Sequence, residues 1–208
     1  MTMTKSELKE MFLNAAKLLQ ENCDEFSKID SQFGDGDHGI TIGKIAKLME
    51  ERFNSWTFEE SIKDFLDDLG TGIMGVNGGS AGPLWGTFIS GLSVNLKDEE
   101  ELTLDNLKAM LQGCLEEMQD ITTAKVGEKT MMDTLIPAVE AGVNSKAESI
   151  KDFFNEVALA AEQGAENTKN FVSKFGRAKS YKEKTLGFKD AGATSLACFF
   201  KGLAEGVK

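Results

Sequence analysis

Asp30, Asp35 and Asp37 crowd into one short stretch, Asp30-Ser-Gln-Phe-Gly34-Asp35-Gly36-Asp37-His38-Gly39. Two carboxylates about 4 Å apart repel by roughly 4 kcal/mol at an effective dielectric near 20, so three that converge need cations between them. Hard oxygen donors with no thiolate beside them select Mg²⁺ or Mn²⁺ rather than zinc, and Mg²⁺ completes its shell with water and phosphate oxygens. The competing reading is a polar turn built from residues that favour turns. Two familiar patterns also fit here by letter alone. Gly34-x-Gly36-x-x-Gly39 matches a dinucleotide fingerprint, but no strand precedes it and its aspartates would repel a pyrophosphate. Gly78-Gly79-Ser80-Ala81-Gly82 matches a nucleophile elbow, which needs a preceding strand and a triad histidine, and His38 is the one histidine in the chain.

Three further segments carry phosphate-type chemistry. Asn77-Gly78-Gly79-Ser80-Ala81-Gly82-Pro83-Leu84-Trp85-Gly86 lets backbone approach an anion closely and sets Pro83 in a first helical turn, whose free N–H groups face negative charge. Gly127-Glu128-Lys129-Thr130-Met131-Met132-Asp133 offers a hydroxyl and a cation at another helix start. Gly176-Arg177-Ala178 leads through Lys184-Thr185-Leu186-Gly187 to Asp190-Ala191-Gly192-Ala193-Thr194-Ser195. This last region also concentrates positive charge at Lys169, Lys174, Arg177, Lys179, Lys182, Lys184 and Lys189, against the lone acid Glu183. It reads either as a solvated loop or as an arm that closes over phosphates.

The elements that must position these residues are helical. Leu8, Met11, Phe12, Ala15 and Leu19 follow a Thr4–Glu7 capping box; Ile42, Ile45, Ala46, Met49 and Phe53 repeat the period. Thr57 and Glu60 open a third helix through Ile62, Phe65, Leu66, Leu69 and Ile73, and Ser145 and Glu148 open one through Ile150, Phe153, Phe154 and Val157. Stripes at Leu104–Met118 and Leu196–Leu203, with helices after Pro83 and around Leu135–Val139, bring the expectation to about eight helices and no sheet. Gly142 and the C-terminal glycines read as helix stops. No repeat or linker divides the 208 residues, so one domain over 1–208 is expected.

Composition narrows the function further. A formal charge of −11 argues against a nucleic-acid partner. No apolar run suits a membrane span and no leader pattern stands at the start, so a cytoplasmic protein is expected. Cys23, Cys114 and Cys198 are scattered singly, which fits a reducing compartment and neither a disulfide framework nor a CxxC metal pair.

Taken together and in order, the four segments resemble the nucleotide-binding L subunit family (DhaL) of bacterial dihydroxyacetone kinase. The family pattern G-D-G/A-D-H-G stands at Gly34–Gly39, G-G-A-S-G-P-L-x-G-T at Gly78–Thr87, G-D-K-T-M at Gly127–Met131, G-R-A at Gly176–Ala178 and D-P-G-A-T-S at Asp190–Ser195. The resemblance implies an all-α barrel of eight antiparallel helices with the nucleotide under loops at one end. It implies Mg²⁺, two ions, on Asp30, Asp35 and Asp37. It implies ADP or ATP contacts at His38, Gly39, Ile40, Thr41, Gly78, Gly79, Ser80, Thr130, Arg177, Asp190, Ala191 and Gly192, with Arg177, Asp35 and Asp37 serving catalysis. A separate K subunit holds dihydroxyacetone in such systems, and a phosphotransferase-system subunit recharges bound ADP. The chain departs from the pattern at Ala191, where the family has proline, and at Lys184-Thr185, where it has Arg-Ser. It departs again at Asp120–Lys125, which lacks a family glycine, and in the inverted order of Ser80-Ala81. A kinase for another short ketose and a module that senses nucleotide for a partner are the alternatives.

Overall fold

In the computed structural model, which describes residues 2–208, hydrophobic stripes and caps divide the chain into nine α-helices. They are α1 (Lys5–Glu21), α2 (Cys23–Asp30), α3 (His38–Ser55), α4 (Ile62–Met74), α5 (Ala81–Gly91), α6 (Leu104–Ile121), α7 (Met132–Asn144), α8 (Ile150–Asn167) and α9 (Ala191–Gly206). Eight of them close a ring: α1 packs on α3, α3 on α4, and so on through α8 on α9 and α9 back on α1. The short α2 lies outside the ring, on α3 and α9. The expected all-α architecture is therefore present.

Aromatic side chains fill the ring. Phe12, Phe53, Phe65, Trp85, Phe88, Phe199 and Phe200 are each at most 1% exposed and touch one another edge to face, which leaves little space inside. Trp56 closes one side by stacking on Phe65 at 4.2 Å. The close approach of α1 and α9 depends on Gly202, where a Cβ would lie 2.5 Å from the Ala15 Cα. Gly142 likewise sits inside α7 against Leu111 and Val157. Both were expected to be helix stops; they are helix contacts, because a missing side chain can serve proximity as well as termination.

Three other expectations need correction. A small sheet exists: β1 (Thr2–Thr4) pairs antiparallel with β2 (Glu101–Thr103), Met3 facing Leu102, and both residues are buried. Such a short ribbon carries too few residues for alternation to show. It leads straight into α1 and α6, whose capping boxes rest on Thr4–Glu7 and Thr103–Asn106. Next, α4 is capped by Ser61, which accepts from Asp64 N, and not by Thr57; Phe58 adopts a left-handed backbone (φ 68°) that interrupts the chain between them. Finally, α8 starts at Ser149 and Asp152 rather than at Ser145 and Glu148, because Ser145 is spent on Ala147 N and on receiving Lys108 Nζ at its carbonyl. Among the described residues no helix is long and apolar enough to cross a membrane.

Candidate metal and nucleotide site

The ring alternates direction, so one end collects the starts of α3, α5, α7 and α9 and the ends of α6 and α8. The other end collects the starts of α1, α4, α6 and α8. These two sets are built differently. At the far end every helix is capped by a side chain: Thr4, Ser61, Thr103 and Ser149. At the near end Asp37, Ser80 and Met131 stand at the caps of α3, α5 and α7 and their side chains take no N–H from their own helices; only the Asp190 side chain, on α9, does so. Uncapped, α3 and α5 leave N–H donors and positive dipole ends open to an anion, whereas on α7 the Thr130 hydroxyl accepts Met132 N at 3.1 Å. All four cap residues line one cavity of about 580 Å³.

The aspartates lie at the mouth of that cavity. Asp30 ends α2 and accepts Gly36 N at 2.8 Å through one oxygen, which folds the loop back toward α3. Ligand oxygens of Asp30, Asp35 and Asp37 all come within 4.8 Å of one another. Their electrostatics follow from that crowding. Arg177 pairs with Asp35 and holds its carboxyl below the ordinary range. Burial first, and the Asp35 charge second, push Asp37 up. A cluster whose members work against each other's ionisation, with hard oxygen donors alone, suits a divalent cation.

The loop is locked from behind. A Cβ at Gly39 would lie 1.8 Å from the Cys23 carbonyl oxygen, so α2 and α3 meet as closely as they do only because residue 39 is glycine. His38 bolts α3 to α9: the Ser195 hydroxyl donates to the Gly192 carbonyl, leaving its oxygen for His38 Nε2 at 2.9 Å. Burial holds the His38 imidazole below its ordinary value, so it is neutral near pH 7.

Asp30, Asp35, Asp37, His38, Gly78, Gly79, Ser80, Thr130, Arg177, Asp190, Ala191 and Gly192 all line the cavity. Gly39, Ile40 and Thr41 do not. Gly39 faces α2, Ile40 points to solvent at 62% exposure, and Thr41 is buried beneath Gly78, where a Cβ would meet its Oγ1 at 1.9 Å. The opposite wall is apolar, formed by Leu84, Trp85, Met118, Ala124 and Met131, with Thr122 beside them.

The basic region spans the cavity as an arm. Arg177 and Lys189 reach the lining; Lys174 pairs with Glu128 at 3.4 Å and Lys189 with Glu166 at 2.7 Å. Of the departures from the family pattern, Thr185 is buried, accepts Ser173 N at 3.0 Å and donates to Lys182 O, whereas Lys184 is exposed. Sequence reading missed three contributors. Phe33 packs on Tyr181 and Phe188 at 5.2 Å each and seats the arm on the aspartate loop; an aromatic among turn residues was its one signal. Asp133, 1% exposed, accepts Gly127 N and Thr130 N and shapes the loop before α7. Lys129, read as a free cation, is buried and committed to backbone carbonyls.

Known proteins resemble this chain to different extents. The ADP-binding subunit of PEP-dependent dihydroxyacetone kinase 2 from Listeria innocua is 30% identical over 197 residues, covering 92% of this chain and 89% of that one. L-erythrulose kinase of Pectobacterium atrosepticum is 31% identical over 201 residues, but this chain spans only 32% of its length. The crystal structure of the dihydroxyacetone kinase from C. freundii in complex with AMP-PNP and Mg²⁺ superposes with a TM-score of 0.74 over 99% of this chain and 34% of that one, at 23% identity, a likeness of fold. The DAK2 domain model matches residues 32–205, from the aspartate loop through nearly all of α9, and the chain belongs to the DAK2 domain family.

Proposed function

We propose that this chain is the nucleotide-binding subunit of a kinase for a short ketose, passing a phosphoryl group to dihydroxyacetone held on a separate K subunit. One observation carries the reading: a three-aspartate cluster and two uncapped helix starts, those of α3 and α5, open onto the same cavity. Asp30, Asp35 and Asp37 are the residues that would hold Mg²⁺, as two ions. Mg²⁺ held there would supply charge neutralisation for the phosphates of ADP or ATP.

The remaining work falls to the chain itself. Backbone N–H groups at Gly78, Gly79 and Ser80, and at His38, Gly39 and Ile40 in the first turn of α3, donate to phosphate oxygens, while Thr41, whose N–H is taken by Asp37 O, supports them from behind. Thr130 and the Asp190-Ala191-Gly192 turn flank the nucleotide, and the apolar wall at Met118 and Met131 receives its base. Arg177 exchanges Asp35 for the phosphoryl group in transfer, where its guanidinium meets charge that develops only then. Catalysis is positioning and charge neutralisation, with Arg177, Asp35 and Asp37 as its catalytic groups. Residues 1–208 serve as one domain of a cytoplasmic enzyme. A phosphotransferase-system subunit recharges ADP in place, a step supported by the PEP-dependent name of the Listeria relative. The erythrulose kinase relative favours a second reading in which the ketose has four carbons.

The test is product formation in four mixtures: this protein alone, with a K subunit, and each with the phosphoenolpyruvate relay. Product is expected only where the K subunit is present, with the relay sustaining many turnovers on stoichiometric nucleotide. Robust product from the chain alone would overturn the subunit reading. Turnover that follows added ATP and ignores the relay would remove the phosphotransferase partner. Running dihydroxyacetone and erythrulose side by side separates the two substrate readings.

A further inference from the structure

Lys129 has no part in the mechanism above, yet its environment is built with care. It is 3% exposed, although a buried ammonium carries a large desolvation cost. Its backbone is left-handed (φ 63°), a conformation that residues other than glycine avoid. Nothing about the turn Gly127–Thr130 demands a lysine; the side chain's destination does. Lys129 Nζ donates to the Thr168 carbonyl at 2.7 Å and also to the Phe188 carbonyl. Those two carbonyls mark the beginning and end of the basic arm that carries Arg177. Around them the neck is tied twice more, by Gly187 N to Lys169 O at 2.8 Å and by Asp190 N to Thr168 Oγ1 at 2.9 Å. Burial lowers the Lys129 pKa, and the nearby Asp190 and Asp133 charges oppose that shift.

We infer that Lys129 is a positioning residue: its ammonium clasps both ends of the 169–188 arm and thereby sets Arg177 over the aspartate cluster. Beyond the clasp, the arm is held by Phe33 against Tyr181 and Phe188, by Lys174 N on Glu128 O at 3.1 Å, and by the Arg177–Asp35 pair. Two of these contacts, those of Phe33 and Asp35, reach the aspartate loop. The clasp lies on the far side, anchored to α8 and the loop before α7, and stays fixed while Arg177 changes partner. The inference rests on the reading of Arg177 as the group that meets the phosphoryl.

Lys129→Met keeps the side chain's bulk and removes its donors; Lys129→Gln keeps an N–H pair without the charge. Hydrogen exchange is measured across the chain, alongside Mg-ADP affinity and single-turnover transfer with the K subunit. In Lys129→Met, exchange within 169–188 should speed up by about tenfold or more while the ring helices exchange as in wild type. Transfer should fall about tenfold with Mg-ADP affinity changed by less than about threefold, and Arg177→Ala added to Lys129→Met should cost far less than in the wild type, since both changes remove one act. Lys129→Gln should fall between, and it carries the same measurements if Lys129→Met does not fold. Wild-type exchange in the arm of either folded variant would overturn the clasp. So would full additivity with Arg177→Ala. If Arg177→Ala alone leaves transfer unchanged, the functional reading of Arg177 fails, and the exchange data still decide the clasp separately.

Discussion

At the scale of single residues, charge placed out of balance locates the site. Asp190 is the clearest case: half-buried at the start of α9, its carboxyl is pushed up from 3.8 to about 6, chiefly by desolvation, although it accepts Ala193 N at 2.8 Å. A carboxyl with its folded pKa above the unfolded one favours the native state fully below about 3.8, and that advantage disappears as pH rises through 6. Two pKa units at 1.36 kcal/mol each make this about 3 kcal/mol at most. Asp190→Asn keeps an acceptor for Ala193 N and removes the charge. Urea unfolding of the ligand-free protein should therefore find the variant more stable than wild type at pH 8, with the gap closing below pH 4. A gap of constant size would mean that desolvation of Asp190 is not the cause. Arg177 makes the opposite case, since it is exposed and its pairing with Asp35 adds little to the fold. Arg177→Ala should leave the melting curve nearly unchanged and slow single-turnover transfer about tenfold or more.

At the scale of elements, the site depends on how closely two helices approach. Gly39 was expected to touch nucleotide; in the structure it is the point where α3 meets the Cys23 carbonyl of α2, and the two helices carry Asp37 and Asp30 at their ends. Gly39→Ala should cost about 1–3 kcal/mol and also weaken metal-dependent ADP binding. Gly202→Ala, which strains the α1–α9 contact instead, should cost a similar amount and leave that binding intact. Equal effects on binding would show that global strain, and not aspartate spacing, is responsible. The pair also indicates what was legible beforehand. Apolar period located the helices, because a stripe such as Ile42, Ile45, Met49 and Phe53 can bury itself in only one way. The aspartates and the Gly78–Ser80 turn were legible because their types carry the chemistry. Close approach was not, since glycine at a contact and glycine at a stop look the same in sequence. Neither was the choice among neighbouring caps, which Ser61 won over Thr57 through the turn at Phe58.

At the scale of the whole molecule, a closed ring of helices gives its two ends different work. The capped end, with its two-stranded ribbon, is finished: its helices are capped by side chains and β1 is tied to β2. The other end is left open to an anion, beside carboxylates that need a cation. Neither half suffices alone, because phosphates without a metal meet three aspartates and a metal without phosphates has an incomplete shell. Nucleotide and Mg²⁺ should therefore bind together or hardly at all, and this coupling is the central claim. Calorimetric titration of ADP into the protein measures it directly, in Mg²⁺ and in EDTA, for wild type and Asp35→Asn. Wild type should bind ADP at least about a hundredfold more tightly with Mg²⁺ than in EDTA, and Asp35→Asn should lose most of that difference. Equal affinity in Mg²⁺ and EDTA, or an undiminished Mg²⁺ effect in Asp35→Asn, would contradict it.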